Sequence, residues 1–284
     1  MLKKIAFLAI LAVGSITFLG DTNAKGVSVT EPKPQTEPVT VAEPTPSASA
    51  WGLFNPETGA VLSGENTKIK KPIASITKLF TAYTVLQSDK KDVPFNITFS
   101  DVYTEGRAGK ITYGEKMTPY ELLFPLLIES SNDAAEAIHR NLGKDFSSTI
   151  ATLEKTLPLT DTEIKDASGL GSKNISTVYD LALFYAHLRR THPHILDITA
   201  LKTYVGPYAG YINNDPASQL KNFAGGKHGY TDEAGRTFVG TFTLEGTHEE
   251  IGIVLLGSKD ILSDVKDILA YEESIMKRSD IMTK

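Results

Sequence analysis

A serine and a lysine three positions apart, Ser75 and Lys78, could perform nucleophilic catalysis in this 284-residue sequence. They follow Pro72, at the start of a strongly apolar segment with helical spacing. Residues three apart on a helix share a face, so the Lys78 amine can reach the Ser75 hydroxyl. A serine hydroxyl needs an adjacent base, and lysine becomes one when burial or a second cation lowers its pKa. Unpaired N–H groups at the helix start could hold an oxyanion.

The Ser-x-x-Lys spacing alone is weakly specific, because it recurs at Ser88, Ser218, Ser263 and Ser274. Those copies are typical of solvated charge on helix surfaces. The position of Ser75 at the start of an apolar helix is what distinguishes it.

Two more motifs could complete a catalytic site. Ser130-x-Asn132 offers a second hydroxyl for a proton relay and a carboxamide for a substrate amide, although such a cluster can also simply cap a helix. Lys227-x-Gly229 offers a cation on an edge strand and a glycine that lets a substrate backbone approach closely. The alternative for this motif is a basic turn between a loop and a strand.

Composition excludes several classes of protein. Hydrophobic residues make up 41% and charged residues 22%, which is ordinary for a soluble domain and argues against wholesale disorder or many membrane spans. A net charge of −5 argues against nucleic-acid binding. The absence of cysteine excludes disulfides, thiolate metal sites and cysteine nucleophiles. The six histidines include no His-Glu-x-x-His, and His192-Pro193-His194 is typical of an exposed turn, so we predict no metal and no cofactor.

The chain is predicted to begin with an export segment and a linker. Lys3 and Lys4 precede a largely apolar stretch, which predicts a signal peptide or membrane anchor over residues 1–24. Residues 25–50 contain five prolines and no Leu, Ile or aromatic residue, which predicts a disordered linker. One ordered domain is predicted over residues 51–277, with a tail at 278–284. The domain is then extracytoplasmic, in the periplasm or cell-wall space, and any membrane association comes through the N-terminus.

Periodicity predicts strands at both ends of the ordered part and helices between them. This order favours an α+β fold, with one sheet closed by both chain ends around an inserted helical region. The predicted elements are a hairpin at 50–62, a helix carrying Ile76, Leu79, Phe80, Tyr83 and Leu86, a helix capped at 118–121 and distorted by Pro125, a helix starting after Thr177, strands at 236–244 and 250–256, and a final helix around 262–269.

The three motifs, in this order, resemble the active-site set of penicillin-recognising serine enzymes. Their surroundings resemble the low-molecular-mass penicillin-binding proteins, which are serine-type D-Ala-D-Ala carboxypeptidases. The similarity covers about residues 51–269. The segments that carry it are Ile73-Ala-Ser-Ile-Thr-Lys-Leu79, Gly114-Glu-Lys-Met-Thr118, Ser130-Ser-Asn-Asp-Ala-Ala135, Asp166-Ala-Ser-Gly-Leu170 and Gly229-Tyr-Thr-Asp-Glu-Ala-Gly235.

The resemblance implies a penicillin-binding-protein/β-lactamase-like fold: an antiparallel sheet flanked by helices, plus an all-helical subdomain, with the active site in the cleft. It implies a penicillin-sensitive D,D-carboxypeptidase that removes the terminal D-alanine from peptidoglycan stem peptides, with β-lactams as covalent inhibitors. Ser75 would form the acyl-enzyme, Lys78 would take the serine proton, and Ser130 would protonate the departing amine.

The same resemblance implies a set of substrate-binding groups. Asn132 would bind the peptide, and Lys227 would hold positive potential near the substrate carboxylate and help to keep the catalytic lysine neutral. Gly229 would admit the substrate backbone, and the N–H of Tyr230 would share the oxyanion with that of the nucleophile. His228 departs from the family, which usually has Thr or Ser there. Either its imidazole binds the terminal carboxylate and makes turnover depend on pH near about 6 to 7, or strand alternation points it away.

Three other functions stay open. A D,D-endopeptidase that cuts peptidoglycan cross-links would use the same residues. A class A-like β-lactamase would deacylate through a Glu-x-x-x-Asn motif, and residues 153–176 contain none. A catalytically inactive wall-binding module could keep the fold without the activity.

Overall fold

The computed structural model describes residues 43–106 and 109–282, with side chains described as far as Met276. The predicted export segment, the linker up to residue 42 and the last two residues of the predicted tail lie outside the described residues.

Two boundaries of the ordered domain differ from the prediction. Ser47 and Ser49 already hydrogen-bond to Asp264 and Leu256, so the packed structure begins before Trp51. The last helix continues to Met282, beyond the predicted tail boundary at 278.

Nine-residue strands at the C-terminal end and two five-residue strands at the N-terminal end build the main sheet. Six short strands form two-stranded ladders elsewhere. The strands are β1 (Ala50–Phe54), β2 (Val61–Glu65), β3 (Lys71–Pro72), β4 (Phe95–Asn96), β5 (Lys116–Met117), β6 (Ile175–Ser176), β7 (Thr203–Val205), β8 (Gly210–Ile212), β9 (Phe223–Thr231), β10 (Gly235–Thr243) and β11 (Glu250–Ser258).

Most helices lie between the two groups of long strands, and one follows the last strand. They are α1 (Thr77–Gln87), α2 (Leu123–Ile128), α3 (Asn132–Leu142), α4 (Lys144–Thr156), α5 (Val178–Thr191), α6 (Pro193–Ala200) and α7 (Ile261–Met282). Short 3₁₀ turns occupy Ala74–Ile76, Asp101–Tyr103 and Pro216–Gln219. The His192-Pro193-His194 segment is therefore the junction of α5 and α6, and Pro193 and His194 are exposed there, as predicted.

The main sheet is antiparallel, in the order β2-β1-β11-β10-β9. Because β1 pairs with β11, segments near both ends of the ordered domain lie side by side, which confirms the expected α+β architecture. Successive strand residues face opposite sides. Leu53 belongs to the apolar cluster that includes α7, whereas Phe54 belongs to the larger cluster formed with the inserted helices. Strand β9, which carries the Lys-x-Gly motif, lies at the edge of the sheet.

Local capping explains where the site-bearing helices begin. Thr118 and Glu121 form the predicted capping box, since the Thr118 N–H donates to the Glu121 carboxylate and the Glu121 N–H donates to the Thr118 hydroxyl. The α-helix itself begins later, at Leu123, and it ends after six residues. The Ser131 hydroxyl accepts from the Ala134 N–H and starts α3, and Thr177 starts α5 in the same way.

Helix α1 differs from its prediction in an instructive way. The sequence predicts one apolar face, but the structure buries almost every side of this helix, including Thr77, Lys78, Thr81 and Thr84. Helices α2, α3, α4 and α6 pack around it and leave it little contact with water. Desolvation of the Lys78 amine follows from this placement.

Within the described residues, no helix has both the length and the hydrophobicity that crossing a membrane requires.

Candidate active site

Ser75 lies in the 3₁₀ turn that leads directly into α1. The preceding residue, Ala74, has a φ of +47°, a left-handed conformation that a non-glycine residue keeps only when its surroundings hold it. Two hydrogen bonds fix the residue before it: the Ile73 N–H donates to the Asn174 carbonyl, at 3.0 Å, and the Thr237 hydroxyl donates to the Ile73 carbonyl, at 2.9 Å. The nucleophile turn is thus held by distant parts of the chain.

Two glycines pack directly against this turn. A Cβ at Gly229 would overlap the backbone nitrogen of Ser75, and a Cβ at Gly169 would overlap the carbonyl oxygen of Ala74. Gly169 also has a φ of +83°, which favours glycine for conformational reasons. Strand β9 and the loop around Gly169 therefore approach the serine as closely as backbone allows.

The Lys78 amine lies at the centre of the site. Its nitrogen is 2.9 Å from the Ser75 hydroxyl oxygen, 2.8 Å from Asn132 Oδ1 and 2.6 Å from the Ser168 carbonyl oxygen. The side chain is fully buried, at 0% exposure. Burial first, and then the charge of Lys227, lower the pKa of Lys78 well below its ordinary value, while Asp166 opposes them.

These three partners are all oxygen atoms, so an ammonium could donate to each of them, and it is the lowered pKa of Lys78 that favours the neutral amine. A neutral amine has two N–H groups and one lone pair. The Asn132 and Ser168 oxygens can only accept, so they take the two N–H groups. The Ser75 hydroxyl can donate, and its proton then points at the amine lone pair. The arrangement can therefore remove a proton from the serine.

The loop at residues 166–171 presents the Ser168 carbonyl to the lysine. The Asp166 carboxylate accepts from the N–H and hydroxyl of Ser168, both at 2.9 Å, and from the N–H groups of Gly169 and Gly171. This segment is part of the family resemblance, which assigns no role to it. Its turn chemistry, an aspartate that precedes serine and glycine, was the available signal.

Asn132 and Ser130 belong to the segment where α2 ends and α3 begins. Asn132 begins α3, and its side-chain N–H₂ donates to the carbonyls of Glu105 and Gly106, at 2.9 and 3.2 Å. Ser130 is half-buried and has a φ of +59°, in the turn between α2 and α3. This turn is fixed by the Ser131 N–H, which donates to the Pro125 carbonyl at 3.0 Å.

Lys227 supplies the second cation. It is 1% exposed, and its ammonium donates to the His228 carbonyl at 2.7 Å. Burial lowers its pKa to about 8, against the opposing effect of Asp215. Lys227 therefore keeps its charge at neutral pH and acts electrostatically on Lys78. Tyr230, two strand positions past His228, is 56% exposed, and its hydroxyl donates to Asp232, so only its backbone could serve the site.

Of the two positions considered for His228, strand alternation agrees with the one that turns the ring away from Ser75 and Lys78. Its neighbours Lys227 and Gly229 face Lys78 and Ser75, so alternation turns the His228 ring to the other face of β9. There Nδ1 lies 3.4 Å from Asp215 Oδ2, and 20% of the side chain is exposed. Burial and Lys227 lower the pKa of His228, and Asp215 opposes them. Asp215 was not among the predicted site residues.

The structure thus brings the Lys78 amine into contact with both Ser75 and Asn132, and β9 places the Gly229 backbone against the Ser75 nitrogen and the Lys227 charge where it acts on Lys78. Ser130 lies in the adjoining turn. Across residues 43–106 and 109–282, no group of three or more acidic or histidine side chains is arranged to hold a metal ion.

Comparisons with known proteins agree on one family. Residues 37–259 match the Peptidase_S11 family, described as D-alanyl-D-alanine carboxypeptidase. D-alanyl-D-alanine carboxypeptidase DacB2 of Mycobacterium tuberculosis is 30% identical over 216 residues, which are 72% of this chain and 73% of DacB2. A D-alanyl-D-alanine endopeptidase of Haemophilus influenzae is 27% identical over 221 residues, 74% of this chain and 76% of that protein.

Solved structures show the same fold. A D-alanyl-D-alanine carboxypeptidase from Mycobacterium tuberculosis superposes with a TM-score of 0.74 at 25% identity, covering 84% of this chain and 95% of that one. Penicillin-binding protein D2 of Listeria monocytogenes, in its cefotaxime-bound form, gives 0.69 at 27% identity, covering 84% and 98%. With its α+β fold and a family match over most of its length, this chain belongs to the Peptidase_S11 family, the low-molecular-mass penicillin-binding proteins.

Proposed function

We propose that this protein is a D,D-carboxypeptidase that removes the terminal D-alanine from peptidoglycan stem peptides through an acyl-enzyme on Ser75. The observation that carries the proposal is the 2.9 Å contact between the Ser75 hydroxyl and a fully buried Lys78 amine whose other partners are two acceptor oxygens. A neutral amine in this position can take the proton of the serine hydroxyl. β-Lactams would acylate the same serine.

The reaction has two halves. Lys78 takes the Ser75 proton while the oxygen attacks the carbonyl between the two terminal D-alanines. The tetrahedral oxyanion lies between the N–H groups of Ser75 and Tyr230, and removing a donor of this kind typically costs about 3–4 kcal/mol. The proton that Lys78 holds passes through the Ser130 hydroxyl to the departing amine, the C–N bond breaks, and D-alanine leaves, so that Lys78 is neutral again and Ser130 keeps a hydroxyl proton. Water then hydrolyses the ester: Lys78 takes a proton from the water and returns it to the Ser75 oxygen as the ester bond breaks.

Asn132 and Lys227 bind the substrate in this scheme. The Asn132 N–H₂ group is already engaged by two carbonyls of the 105–106 segment, so a substrate carbonyl would have to compete with them. Lys227 attracts the substrate carboxylate and, through its charge, helps to keep the catalytic base neutral. The predicted export segment at residues 1–24 supports an extracytoplasmic location, where stem peptides occur.

Endopeptidase action on cross-links is the second candidate, because relatives with that name match this chain as well. β-Lactamase activity is disfavoured by the loop chemistry. Residues 153–176 contain no Glu-x-x-x-Asn. The Asp166 carboxylate, in the loop that contacts Lys78, already accepts hydrogen bonds from the N–H and hydroxyl groups of its own loop. An inactive wall-binding module would have no need for the contact between the buried amine and the serine.

The test is mass spectrometry of the protein after incubation with penicillin, together with an assay of free D-alanine from a pentapeptide. We expect one covalent adduct, on the peptide that contains Ser75, and release of D-alanine. An adduct on another residue, or none, would overturn the proposed chemistry. Cleavage of cross-linked muropeptide dimers without D-alanine release would show that the protein is an endopeptidase instead.

The effect of Lys227 on Lys78 gives a pH prediction. The lysine base works only when neutral, so the limiting acylation rate at saturating penicillin should rise with pH, about tenfold per unit, until Lys78 has lost its proton. Replacing Lys227 with methionine removes the charge that lowers the Lys78 pKa. The part of the pH–rate profile in which the acylation rate rises should therefore move to higher pH. Stopped-flow measurement of acylation at a series of pH values would show this shift.

Lys221→Met is the matched control, because it removes the same charge from an exposed position just before β9. The acylation rate of this variant should rise over the same pH range as that of the unmodified protein. If Lys227→Met also left that pH range unchanged, the electrostatic role of Lys227 would be refuted.

A further inference from the structure

Three aromatic side chains form a patch on the surface near the active site. Phe99, Tyr103 and Tyr113 are between 61% and 76% exposed. The ring centroids of Phe99 and Tyr103 lie 4.7 Å apart, and those of Phe99 and Tyr113 lie 6.4 Å apart. Single exposed apolar side chains are common, but rings gathered together at a surface mark an interaction site. We call these three residues the aromatic platform, and the mechanism above leaves it unused.

The backbone that carries the platform is fixed by hydrogen bonds. The Thr98 N–H and the Arg140 guanidinium both donate to the buried Asp101 carboxylate, at 2.7 and 2.8 Å. The Gly114 N–H donates to the Ile97 carbonyl at 3.0 Å. The two stretches that carry the rings are therefore joined to each other and to α3. Rings held in this way can bind a ligand without a large cost of ordering.

The platform is continuous with the substrate site. Tyr103 lies two residues before Glu105, whose carbonyl accepts from the Asn132 side chain at 2.9 Å. Two residues of chain span at most about 7 Å. Gly109 approaches the site so closely that a Cβ there would overlap the Ser131 side chain, and the last ring of the platform follows four residues later. Residues that touch the segment between α2 and α3 therefore lead into the platform from both sides.

The proposed substrate contains a ligand of suitable chemistry. Stem peptides are attached to glycan strands, whose pyranose rings present flat faces of C–H groups. These faces can stack on the π faces of aromatic rings, and tyrosine hydroxyls add hydrogen bonds at the edge of the contact. The three residues between the terminal D-Ala-D-Ala and the sugar span about 10 Å when extended. A stem that passes Asn132 is therefore long enough for its sugar to reach the Tyr103 side of the platform.

Charge favours a sugar over a lipid surface as the occupant. Residues 95–116 contain three acidic and three basic side chains, so this stretch has no net charge. Of the bases, Lys110 is already paired with Glu129, at 2.8 Å. A surface that binds anionic lipids carries a basic excess beside its aromatic residues, and this one does not.

We propose that the aromatic platform binds sugar rings of the peptidoglycan glycan strand, so that the protein acts preferentially on stem peptides that are still attached to glycan. The inference rests on the proposed function and specifies its substrate class. The platform binds and orients the substrate and takes no part in making or breaking bonds. Its loss should therefore raise KM for glycan-linked substrate and leave turnover of a free pentapeptide unchanged.

The experiment compares D-alanine release from a free pentapeptide with release from the same pentapeptide attached to a short glycan strand. The ratio of kcat/KM for linked over free substrate cancels every effect on the catalytic residues, and we expect it to be well above one. Tyr103→Ala and Tyr113→Ala should each lower this ratio by about 2- to 10-fold, the range that one aromatic contact contributes. Acylation by penicillin should keep its normal rate in both variants.

Tyr179→Ala is the matched control, because it removes an exposed tyrosine at the start of α5, where the ring lies beside Lys68. Its ratio should equal that of the unmodified protein. Tyr113→Leu keeps an apolar side chain but loses the flat ring, so its ratio should fall as in Tyr113→Ala. All these side chains are exposed, so the melting temperatures should be nearly unchanged.

Saturation-transfer NMR with chitotetraose, the tetramer of N-acetylglucosamine, tests the platform without turnover. Irradiation of the aromatic protons of the protein should transfer magnetisation to the sugar C–H groups. The transfer should be lost when all three platform residues are replaced with alanine. Absence of transfer in the unmodified protein, or unchanged transfer in the triple variant, would overturn the inference whether or not D-alanine is released.

Other outcomes separate the inference from the proposed function. Equal kcat/KM for linked and free pentapeptide, or a ratio that the platform variants leave unchanged, would overturn glycan binding while D-alanine release continued. An unchanged ratio together with weaker binding of the triple variant to phosphatidylglycerol vesicles would make the platform a membrane contact instead. Failure of the proposed function looks different, because neither pentapeptide would release D-alanine and no penicillin adduct would form, whereas transfer to chitotetraose would persist.

Discussion

Replacing Ser75 with alanine is expected to abolish covalent labelling by penicillin and to lower D-alanine release by a factor on the order of 10⁶. The nucleophilic oxygen is the only atom that can form the ester, so binding and oxyanion contacts that survive cannot restore it. The fold should be unaffected, because Lys78 keeps two of its three partners, Asn132 and Ser168. Fluorescent penicillin labelling on gels and a D-alanine assay measure the two effects.

Ser263→Ala is the matched control. Ser263 also begins a Ser-x-x-Lys sequence, but it is exposed on α7, far along the chain from the buried site. Labelling of this variant should equal that of the unmodified protein. Covalent labelling that persisted in Ser75→Ala would place the nucleophile elsewhere and contradict the proposed mechanism.

Replacing Lys78 with methionine is expected to slow acylation by about 10²- to 10⁴-fold, the usual contribution of a positioned general base. Methionine is apolar and of similar length, so it suits a buried position. It leaves the Asn132 and Ser168 oxygens without their donor, at about 1–3 kcal/mol for each unsatisfied group. The variant no longer has to bury an amine, and the desolvation cost that is saved offsets part of this loss. The melting temperature should therefore change only modestly.

The outcome differs in kind from loss of the nucleophile. Residual labelling of Lys78→Met should still map to Ser75, and its rate should no longer rise with pH through the titration of the lysine. Lys266→Met, in the exposed Ser-x-x-Lys copy on α7, provides the control and should acylate at the normal rate. Normal acylation by Lys78→Met would exclude the lysine as the base.

Local chemistry was readable from the sequence. The spacing of Ser75 and Lys78, the capping box at Thr118 and Glu121, and the cap at Thr177 all depend on neighbours within four residues. Strands at both ends with helices between them predicted one sheet closed by both chain ends, and this followed from the order of the elements. The local predictions agree with the structure because short-range periodicity and hydrogen bonding determine them.

Long-range partners were not readable. Asp166 and Asp215 lie in loops of turn-forming residues, where an aspartate is common for local reasons. Their importance arises only when folding brings them to Lys78 and His228. The burial of α1 was underestimated for the same reason, since a helix covered on all sides looks amphipathic when polar threonines such as Thr81 hydrogen-bond inside the core.

The backbone that presses on the nucleophile turn also controls when the chemistry becomes available. Gly169 and Gly229 come from segments made long after Ser75, and both must dock before the left-handed bend at Ala74 is held in place. A nascent or truncated chain that lacks β9 has the serine and its lysine but no rigid acceptor for a tetrahedral adduct. For the proposed nucleophile we therefore expect reactivity in the finished molecule and none in an incomplete one.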